Sequence, residues 1–543
     1  MRISYPQDYH LDHGIWIPNG DSRDLPYSEG EELEVQLARL VAEARDLSVL
    51  SPELRRLIHH PRTRYHLSPR RANLLRPFAA ALTSRVLEVG AGCGAITRYL
   101  GELGGRVTAV EGSRRRAAIA RARTRDLPNV EVVWDDATRL STAERFDVVV
   151  LVGVLEYARV FLRAGMDSQR QLLAHLGGLL HEDGMLILAI ENQLGARYWA
   201  GGAEDHLLAE FFGIQDNYTE SSVATFGRHS LREILIEAGF PQQQWYVPVP
   251  DYKLPSAVLS PAGLGLTDRF DAAAVLAQNV FGDERKAVRP RFSLERVWSV
   301  LQRNHLLLEF ANSFLVVAGR SDAVLDRLQH DRRLGWSYAV DRWPGYATEA
   351  CVSLEEDGLM IRRRRLAPEA SALQTPLVWR LHDEPYAEGR NWWCELVALL
   401  TRPGWTTEDL ARWARTWLDA LLRAAGLDPA PQTPHDGRLT VGGWLLNATP
   451  NNLVATRDGA YRFFDLEWQV RDGVELGFLV YRALSGSLGQ LTSVTWTGSG
   501  PLPTPAGLLQ SVFAELGLTL EAGDLDRYRR LEAQFQGWSL GDF

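Results

Sequence analysis

Runs of apolar residues alternate with helical patterns from Arg85 to about Arg320. Such runs are typical of parallel strands whose two faces are covered by helices. The predicted parallel strands are RVLEVGA, RVTAVEG, VEVVWDD, FDVVVLVG and GMLILAIEN. Two later strands, QWYVPVPDYKL and NSFLVVAG, follow without a comparable strand–helix rhythm. We therefore expect an α/β domain over residues 76–322, with a polar and aromatic insert at about 191–240.

Loop and helix patterns precede this domain. Residues 1–30 are rich in Pro, Gly, Asp and Ser and are predicted to be loop. Leu33, Leu37 and Val41 form the apolar stripe of a first helix, and Ser51 has the position of an N-cap for a second. Residues 1–75 are therefore predicted to pack on the α/β domain as an N-terminal helical segment.

A second domain, α+β in class, is predicted over residues 323–543. Its pattern begins with the helical segment DAVLDRLQHDRRL and continues through short strands. Two helices follow, NWWCELVALL and TTEDLARWARTWLDALLRAAG, and then a β-hairpin within GGWLLN and NLVATRDGAYRFFDLEW. No internal repeat connects the two domains.

Composition and charge exclude several classes of protein. The 543 residues are 45% hydrophobic and 23% charged, an ordinary globular balance, and the net charge of -9 argues against nucleic-acid binding. Cys93, Cys351 and Cys394 lie too far apart for a disulfide framework or a cysteine zinc site, and no other metal ligands are predicted. No signal peptide and no membrane span is recognisable, so we predict a cytoplasmic protein.

The segment VLEVGAGCGAIT, Val86 to Thr97, carries the first candidate chemistry. Glycines between a strand and a helix let the backbone turn tightly and approach a ligand closely. The spacing of Gly90, Gly92 and Ala95 also satisfies the dinucleotide-binding pattern, and Glu111 after the next strand fits either cofactor. Cys93 is interpreted as a small packing residue. The motif alone leaves a nicotinamide-dependent oxidoreductase as an alternative.

Three further features resemble class I methyltransferases, which use S-adenosylmethionine (SAM). Asp135-Asp136-Ala137 ends the third strand, Gly153 to Tyr157 reads GVLEY after the fourth, and two strands close the region. The resemblance implies a Rossmann-like sheet, with Tyr65 and His66 closing over the cofactor. It implies cofactor contacts from Glu88, Gly90, Ala91, Gly92, Gly94, Glu111, Gly112, Asp135, Asp136, Ala137, Val152, Gly153, Tyr157 and Tyr65.

The methyl acceptor is suggested by a narrower resemblance. YHLSPRRANLLRPF, ENQLGARYWAGGAEDH, TFGR and PDYKLP are similar to bacterial surface-polysaccharide methyltransferases, including the O-antigen-capping methyltransferase–kinase. That implies a glycan or lipid-linked glycan acceptor, methylated on a sugar hydroxyl or a terminal phosphate, and polysaccharide-assembly partners. The insert at 191–240 is then a lid or an acceptor-binding element. A scaffold that binds SAM without catalysis is the alternative.

Candidate catalytic residues lie in or beside that insert. A sugar hydroxyl needs a general base, for which His206, Asp205 and Glu191 are the candidates. An anionic acceptor could be bound by paired hydrogen bonds from arginine guanidinium groups. The candidates for this role are Arg64, Arg70, Arg71 and Arg228. A structural role for each of these residues is the alternative.

The second domain resembles a kinase in LLNATPNNLVATRDGAYRFFDLEW. Asn452 and Asp465 occupy the magnesium-binding positions, with Glu467 as an extra ligand, which implies ATP and Mg²⁺ as cofactors. The catalytic aspartate position holds Asn447, however, and no lysine follows Lys286. Residues 362–365 are then the only cations for the phosphates, with Glu395 as their helix partner. A degenerate kinase-like domain, an active kinase that makes the protein bifunctional, and an unrelated module remain alternatives.

Overall fold

A computed structural model describes residues 9–541 except 21–23, 26–27, 29, 141, 143, 163–164, 329, 331, 430–435 and 497–502. The predicted absence of a signal peptide concerns residues 1–8, which lie outside the described residues. The chain forms two compact units. The first comprises Met1–Ala262 and Leu308–Tyr338, and the second comprises Gly263–Leu307 and Ala339–Phe543.

The strands in the described part of the chain range from two to twelve residues. In chain order they are β1 Tyr9–Asp12, β2 Ile15–Pro18, β3 Arg85–Val89, β4 Arg106–Glu111, β5 Val130–Trp134, β6 Phe146–Val152, β7 Leu180–Glu191, β8 Gln242–Val249, β9 Ala257–Leu259, β10 Ser313–Gly319, β11 Arg333–Ala339, β12 Thr348–Glu355, β13 Gly358–Arg365, β14 Leu377–Trp379, β15 Glu384–Pro385, β16 Gly389–Asn391, β17 Thr440–Val441, β18 Leu453–Thr456, β19 Tyr461–Phe463, β20 Trp468–Val470 and β21 Val474–Glu475.

The helices follow the same order. They are α1 Glu31–Glu43, α2 Pro52–Arg56, α3 Pro61–Leu67, α4 Arg70–Asn73, α5 Ala95–Glu102, α6 Arg114–Arg123, α7 Ala158–Leu162, α8 Ser168–Leu179, α9 Ala196–Trp199, α10 Arg228–Glu237, α11 Pro261–Gly265, α12 Ala272–Gln278, α13 Leu294–Arg303, α14 Leu307–Phe310, α15 Asp322–Asp326, α16 Trp392–Leu400, α17 Thr407–Ala424, α18 Leu476–Gly489, α19 Pro505–Glu515 and α20 Asp524–Leu540. Among the described residues, no helix is long and apolar enough to cross a membrane.

One sheet organises the first unit. Its strand order is β1-β2-β5-β4-β3-β6-β7-β10-β8-β9-β11. The strands from β2 through β5, β4, β3 and β6 to β7 are parallel, whereas β10 lies antiparallel between β7 and β8. The parallel strands are buried along almost their whole length, because helices cover both faces. This Rossmann-like sheet confirms the predicted α/β architecture.

Two sequence predictions are wrong in this unit. The loop predicted over residues 1–30 contains the hairpin of β1 and β2, which extends the sheet beside β5. Ile15 and Ile17 are buried there, although the flanking residues are polar. The segment DAVLDRLQHDRRL, predicted to begin the second domain with a long helix, belongs to the first unit and contains only the five-residue α15. Residues 329 and 331 of that segment lie outside the described residues. By contrast, α1 and the Ser51 cap of α2 are confirmed.

The second unit is built from helices and small antiparallel sheets. Within it β13 pairs with β12 and β15, β18 pairs with β16 and β19, β14 pairs with β20, and β17 pairs with β21. The predicted helices α16 and α17 and the predicted hairpin of β18 and β19 are present. Residues 263–307, predicted within the first domain, belong to this unit because α12 and α13 pack against α16.

Candidate active site

A tight turn between β3 and α5 forms the floor of a cleft in the first unit. Gly90 and Gly94 have φ angles of 77° and 79°, which side chains rarely tolerate. A Cβ on Gly90 would lie 2.4 Å from Val154 Cγ2, and one on Gly94 would lie 2.8 Å from the Ala120 Cα. The Gly90 and Ala91 N–H groups both donate to the Val110 carbonyl, at 2.8 and 3.0 Å. These contacts require glycine at both positions.

The cleft lies at the carboxyl ends of the parallel strands, where ligands bind in open α/β sheets. All but one of the residues predicted to contact the cofactor line it; the exception, Gly94, caps α5 and packs on α6. The lining also includes residues that sequence reasoning did not assign to the cofactor, namely Leu25, Ile96, Arg116, Thr138, Phe161 and Leu162. Ile96 lies within the glycine motif but was not assigned to the cofactor, and the other five residues lie outside the quoted cofactor motifs, in separate helices and loops.

Two carboxylates in the cleft are arranged to meet a ligand. Glu111 accepts the Gly92 N–H at 2.7 Å and the Ser113 N–H at 2.9 Å, which ties the glycine turn to the end of β4. Glu88 is buried, its Oε2 has no hydrogen-bond partner among the described atoms, and burial raises its pKa to about 7. An orphaned buried carboxylate oxygen costs free energy unless a ligand satisfies it.

The two aspartates after β5, Asp135 and Asp136, differ in burial. Asp135 is buried and accepts the Tyr9 hydroxyl of β1 and the Asp136 N–H, and burial raises its pKa. Asp136 is half-buried and accepts the Thr138 N–H and hydroxyl at 2.9 and 2.8 Å. Both line the cleft, and Asp136 is the more accessible of the two.

The four predicted acceptor arginines differ in their position relative to the cleft. Among the described residues that line the cleft, Arg71 is present, whereas Arg64, Arg70 and Arg228 are not. Arg71 is buried, donates to the Lys253 carbonyl at 2.8 Å and lies over the Tyr65 ring. Arg228 forms an ion pair with Glu309. Their acceptor role stays a prediction.

Glu191, Asp205 and His206, the predicted catalytic residues, lie in one buried cluster beside the cleft. Lys253 joins them: its ammonium contacts Glu191 Oε1 at 2.6 Å and also the Asp205 carboxylate. His206 Nε2 lies 3.9 Å from Glu191 Oε2. Tyr157 connects the cluster to the cleft, because it lines the cleft while its hydroxyl is hydrogen-bonded to His206 Nδ1 at 2.9 Å.

Glu156 and Tyr252 complete this cluster and were missed as catalytic candidates. The Tyr252 hydroxyl donates to Glu191 Oε1 at 3.2 Å and lies 3.5 Å from Glu156 Oε1. Both residues stand in segments quoted for the family resemblance, GVLEY and PDYKLP, but neither segment indicates that they meet. Glu156 and Glu191 come together because Glu156 follows β6 and Glu191 ends the adjacent parallel strand β7.

The buried charges of the cluster shift one another's pKa. Burial, reinforced by the Glu191 carboxylate, raises the pKa of Glu156 to about 8. Burial opposes ionisation of Glu191 as well, yet Lys253 and His206 hold the pKa of Glu191 well below its usual range. Burial likewise opposes protonation of His206, but the two glutamates raise its pKa above the ordinary value. Strongly perturbed groups beside a cleft are typical of functional sites.

The fold and the cleft define a class I methyltransferase domain. Residues 87–186 match a family model described as a methyltransferase domain. The cleft fits SAM on the observations above: a glycine turn that excludes side chains, and a buried Glu88 oxygen without a partner. The chain therefore carries a SAM-dependent methyltransferase domain.

Individual relatives are similar over parts of the chain only. An uncharacterized methyltransferase from Alkaliphilus oremlandii (strain OhILAs) is 29% identical over 103 residues, covering 19% of this chain and 44% of the relative. The N-methyltransferase NodS from Bradyrhizobium japonicum WM9 is 22% identical, with a TM-score of 0.24 over 32% of this chain and 84% of that one. The CcbJ methyltransferase from Streptomyces caelestis is 17% identical, with a TM-score of 0.28 over 46% and 88%. These TM-scores are too low to inform function.

Replacing Glu111 with alanine should weaken S-adenosylhomocysteine binding by about 1–3 kcal/mol, because polar partners on both ligand and glycine turn lose their acceptor. Glu111→Gln, which keeps one acceptor oxygen, should lose less. Isothermal calorimetry measures both, with NAD⁺ and NADP⁺ expected to be inert. Tight NAD⁺ binding without a response to S-adenosylhomocysteine contradicts this assignment.

The second unit brings the predicted kinase-like residues together. Asn447 Nδ2 donates to the Asp465 carbonyl at 2.8 Å, and Asn452 Nδ2 donates to the Asn447 carbonyl at 3.0 Å. Asp465 has a positive φ of 57°, and burial raises its pKa to about 6. Glu467 is bound by Arg342 at 2.6 Å and by the Trp379 indole N–H at 2.9 Å.

Arg363, one of the four predicted phosphate-binding arginines, contacts Asp465. Its Nη2 lies 3.1 Å from Asp465 Oδ1 and 2.5 Å from Glu384 Oε1. The expected partnership with Glu395 is wrong, because Glu395 pairs with Arg390 at 3.2 Å. The difference arises because Glu384 lies on β15, which pairs directly with the arginine-bearing strand β13.

Proposed function

We propose that this protein transfers the methyl group of SAM to an oxygen of a glycan or glycan-linked acceptor in bacterial surface-polysaccharide synthesis. One observation carries the proposal: Tyr157 lines the cofactor cleft and is hydrogen-bonded to His206 of the buried cluster. A proton-accepting group thus stands beside the cleft. The glycan class of acceptor, the polysaccharide-assembly partners and a cytoplasmic location are supported by the sequence resemblance alone.

The residues of the cleft would bind SAM and orient it for methyl transfer. SAM, when bound, supplies an electrophilic methyl group. Glu88, Glu111 and Asp136 offer carboxylate oxygens to its polar groups, and the glycine turn allows a close approach. Methyl transfer is an in-line displacement, so rate depends mainly on holding the acceptor oxygen in line with the methyl group.

His206 is the candidate to receive the proton of a hydroxyl acceptor. Its Nδ1 is engaged with Tyr157, whereas its Nε2 has no hydrogen-bond partner among the described atoms. A terminal phosphate would need no base, because its oxygen is already anionic, and Arg71 at the cleft would then favour the charged acceptor.

Acceptor profiling tests the proposal. The purified protein is incubated with methyl-labelled SAM and lipid-linked glycans, prepared with and without a terminal phosphate. We expect label in the glycan fraction, and the two preparations distinguish a hydroxyl from a phosphate acceptor. Labelled protein or small-molecule amine with unlabelled glycan would contradict the proposal.

We further propose that the second unit is a kinase-like domain without phosphotransferase activity. The supporting observation is the ion pair of Arg363 with Asp465, which engages the carboxylate that would hold Mg²⁺. Asn447, moreover, cannot accept the proton of an attacking hydroxyl. Two of the parts that phosphoryl transfer needs are thereby altered.

The unmodified protein should give no phosphorylated glycan with ATP and Mg²⁺, because both the base and the metal-binding carboxylate are compromised. The measurement is transfer of γ-³²P to the lipid-linked glycans used above. Asn447→Asp should raise any residual rate. Robust phosphorylation by the unmodified protein that Asp465→Ala abolishes would establish a bifunctional methyltransferase–kinase instead.

A further inference from the structure

Three buried polar atoms in one cluster of the first unit form no hydrogen bond with described atoms, and two of them, His206 Nε2 and Glu191 Oε2, lie 3.9 Å apart. Glu156 Oε2, Glu191 Oε2 and His206 Nε2 have no hydrogen-bond partner among the described atoms. The two glutamates are fully buried, and the His206 side chain is 10% exposed. One ligand atom from each of these residues lies within 4.8 Å of those of the other two. Buried polar atoms are normally satisfied, so this group points to a ligand.

In each of these three residues, neighbouring side chains contact the second polar atom: Oε1 of the two glutamates and Nδ1 of His206. Lys253 and the Tyr252 hydroxyl contact Glu191 through Oε1, at 2.6 and 3.2 Å, and the Tyr252 hydroxyl also faces Glu156 Oε1. The Tyr157 hydroxyl is hydrogen-bonded to His206 Nδ1. Partners of this kind orient metal ligands by fixing one atom and leaving the other available.

The charges of the cluster also favour a cation. Its carboxylates outnumber its cations by two when all are ionised and the imidazole is neutral. The carboxylates are Glu156, Glu191, Asp205 and Asp251, and the cations are Lys253 and Arg197. Lys253 contacts Glu191 Oε1 and the Asp205 carboxylate, whereas Glu191 Oε2 lies 3.9 Å from His206 Nε2. Buried carboxylate oxygens are costly to leave without a partner, and one divalent ion would satisfy the Oε2 atoms of both glutamates.

We propose that Glu156, Glu191 and His206 bind one divalent transition-metal ion. Two carboxylates and an imidazole suit Mn²⁺, Fe²⁺ or Zn²⁺ better than Mg²⁺, which prefers oxygen ligands and water. Bonds of about 2.0–2.2 Å place ligand atoms up to about 4.4 Å apart, so small side-chain movements close the site. The sequence pattern predicted no metal ligands in the first domain, because these three residues come from separate segments.

A bound ion would be connected to the cofactor cleft through His206. The other ring nitrogen of His206 is hydrogen-bonded to Tyr157, which lines the cleft. The remaining coordination positions of the ion would then take oxygen atoms of the acceptor. Only this use of the ion rests on the proposed function, since ion binding can be measured in the absence of any acceptor.

The full-length protein, freed of metal by EDTA and gel filtration, is titrated with Mn²⁺ and followed by electron paramagnetic resonance. We expect one tightly bound Mn²⁺ per chain, with ¹⁴N coupling from a single imidazole in the pulsed spectrum. Glu156→Gln should weaken Mn²⁺ binding by more than about 100-fold, the upper range for loss of an outer-shell partner. Glu309→Gln, on the surface of the same unit, should leave Mn²⁺ binding unchanged.

Calorimetry with S-adenosylhomocysteine shows whether each variant is folded. Absence of stoichiometric binding by the unmodified protein, with Zn²⁺ as well as Mn²⁺, overturns the proposal. So does binding that lacks ¹⁴N coupling, or that Glu156→Gln leaves unchanged in a folded variant. Any of these results leaves the methyltransferase proposal intact, because cofactor binding and methyl transfer are measured separately.

Discussion

Replacing His206 with alanine should lower kcat for a hydroxyl acceptor by about 10²–10⁴ while the affinity for S-adenosylhomocysteine stays unchanged. The first effect is the usual contribution of a positioned general base. The second follows because Tyr157, and not His206, is the residue that lines the cofactor cleft. Steady-state kinetics with the acceptor found by profiling, combined with calorimetry, measures both quantities.

His229 provides a matched control, because it is an exposed histidine of the same unit. His229→Ala should leave both quantities unchanged. An unaltered kcat in His206→Ala contradicts the base role and indicates a phosphate acceptor or another base. If His206 is a metal ligand instead, His206→Ala should also abolish the ¹⁴N coupling of bound Mn²⁺, which separates the two roles.

Replacing Arg197 with methionine should destabilise the first unit by about 3–5 kcal/mol, the cost of leaving buried charges uncompensated. Arg197 is fully buried and pairs with Asp251 at 2.8 Å and with Asp205 at 3.4 Å. Without it the two buried carboxylates lose a shared cation, and Lys253 remains in contact with Asp205. Urea unfolding followed by near-ultraviolet circular dichroism gives the change in free energy of unfolding.

Arg228→Met is the corresponding change in a partly exposed ion pair. Both Arg228 and Glu309 have side chains that are 37% exposed, so solvent screens their attraction. The expected loss is about 1 kcal/mol or less. Equal losses in the two variants would show that the buried network adds nothing beyond a surface pair.

The parallel strands could be predicted because burial on both faces leaves a continuous apolar run in the sequence. The hairpin of β1 and β2 could not, because its strands have four residues each and only Ile15 and Ile17 are buried. Residues 263–307 were assigned to the wrong unit for a related reason. These residues pack against α16, which lies far along the chain. Helix periodicity predicts which face of a helix is buried, but not which helix packs against that face.

The candidate site could also be predicted only in part. The cofactor residues lie in short motifs at strand ends, where chain order and spatial order agree, and so sequence reasoning found most of them. The cluster around His206 depends on contacts between segments from β6 to the loop after β8, such as Lys253 with Asp205. A single sequence carries no record of those contacts. Arg71 illustrates the limit, since four arginines were predicted to bind the acceptor and the sequence pattern did not indicate which of them lines the cleft.

The division of the chain into units has a consequence for synthesis. Strand β10 completes the central sheet by pairing with β7 and β8, yet it follows residues 263–307 of the second unit. Domains commonly fold in order as they leave the ribosome. Here the sheet remains open until residue 319 emerges, by which time α12 and α13 are already outside and still lack α16. Translation therefore leaves β7 and β8 without their shared neighbour while α12 and α13 lack α16.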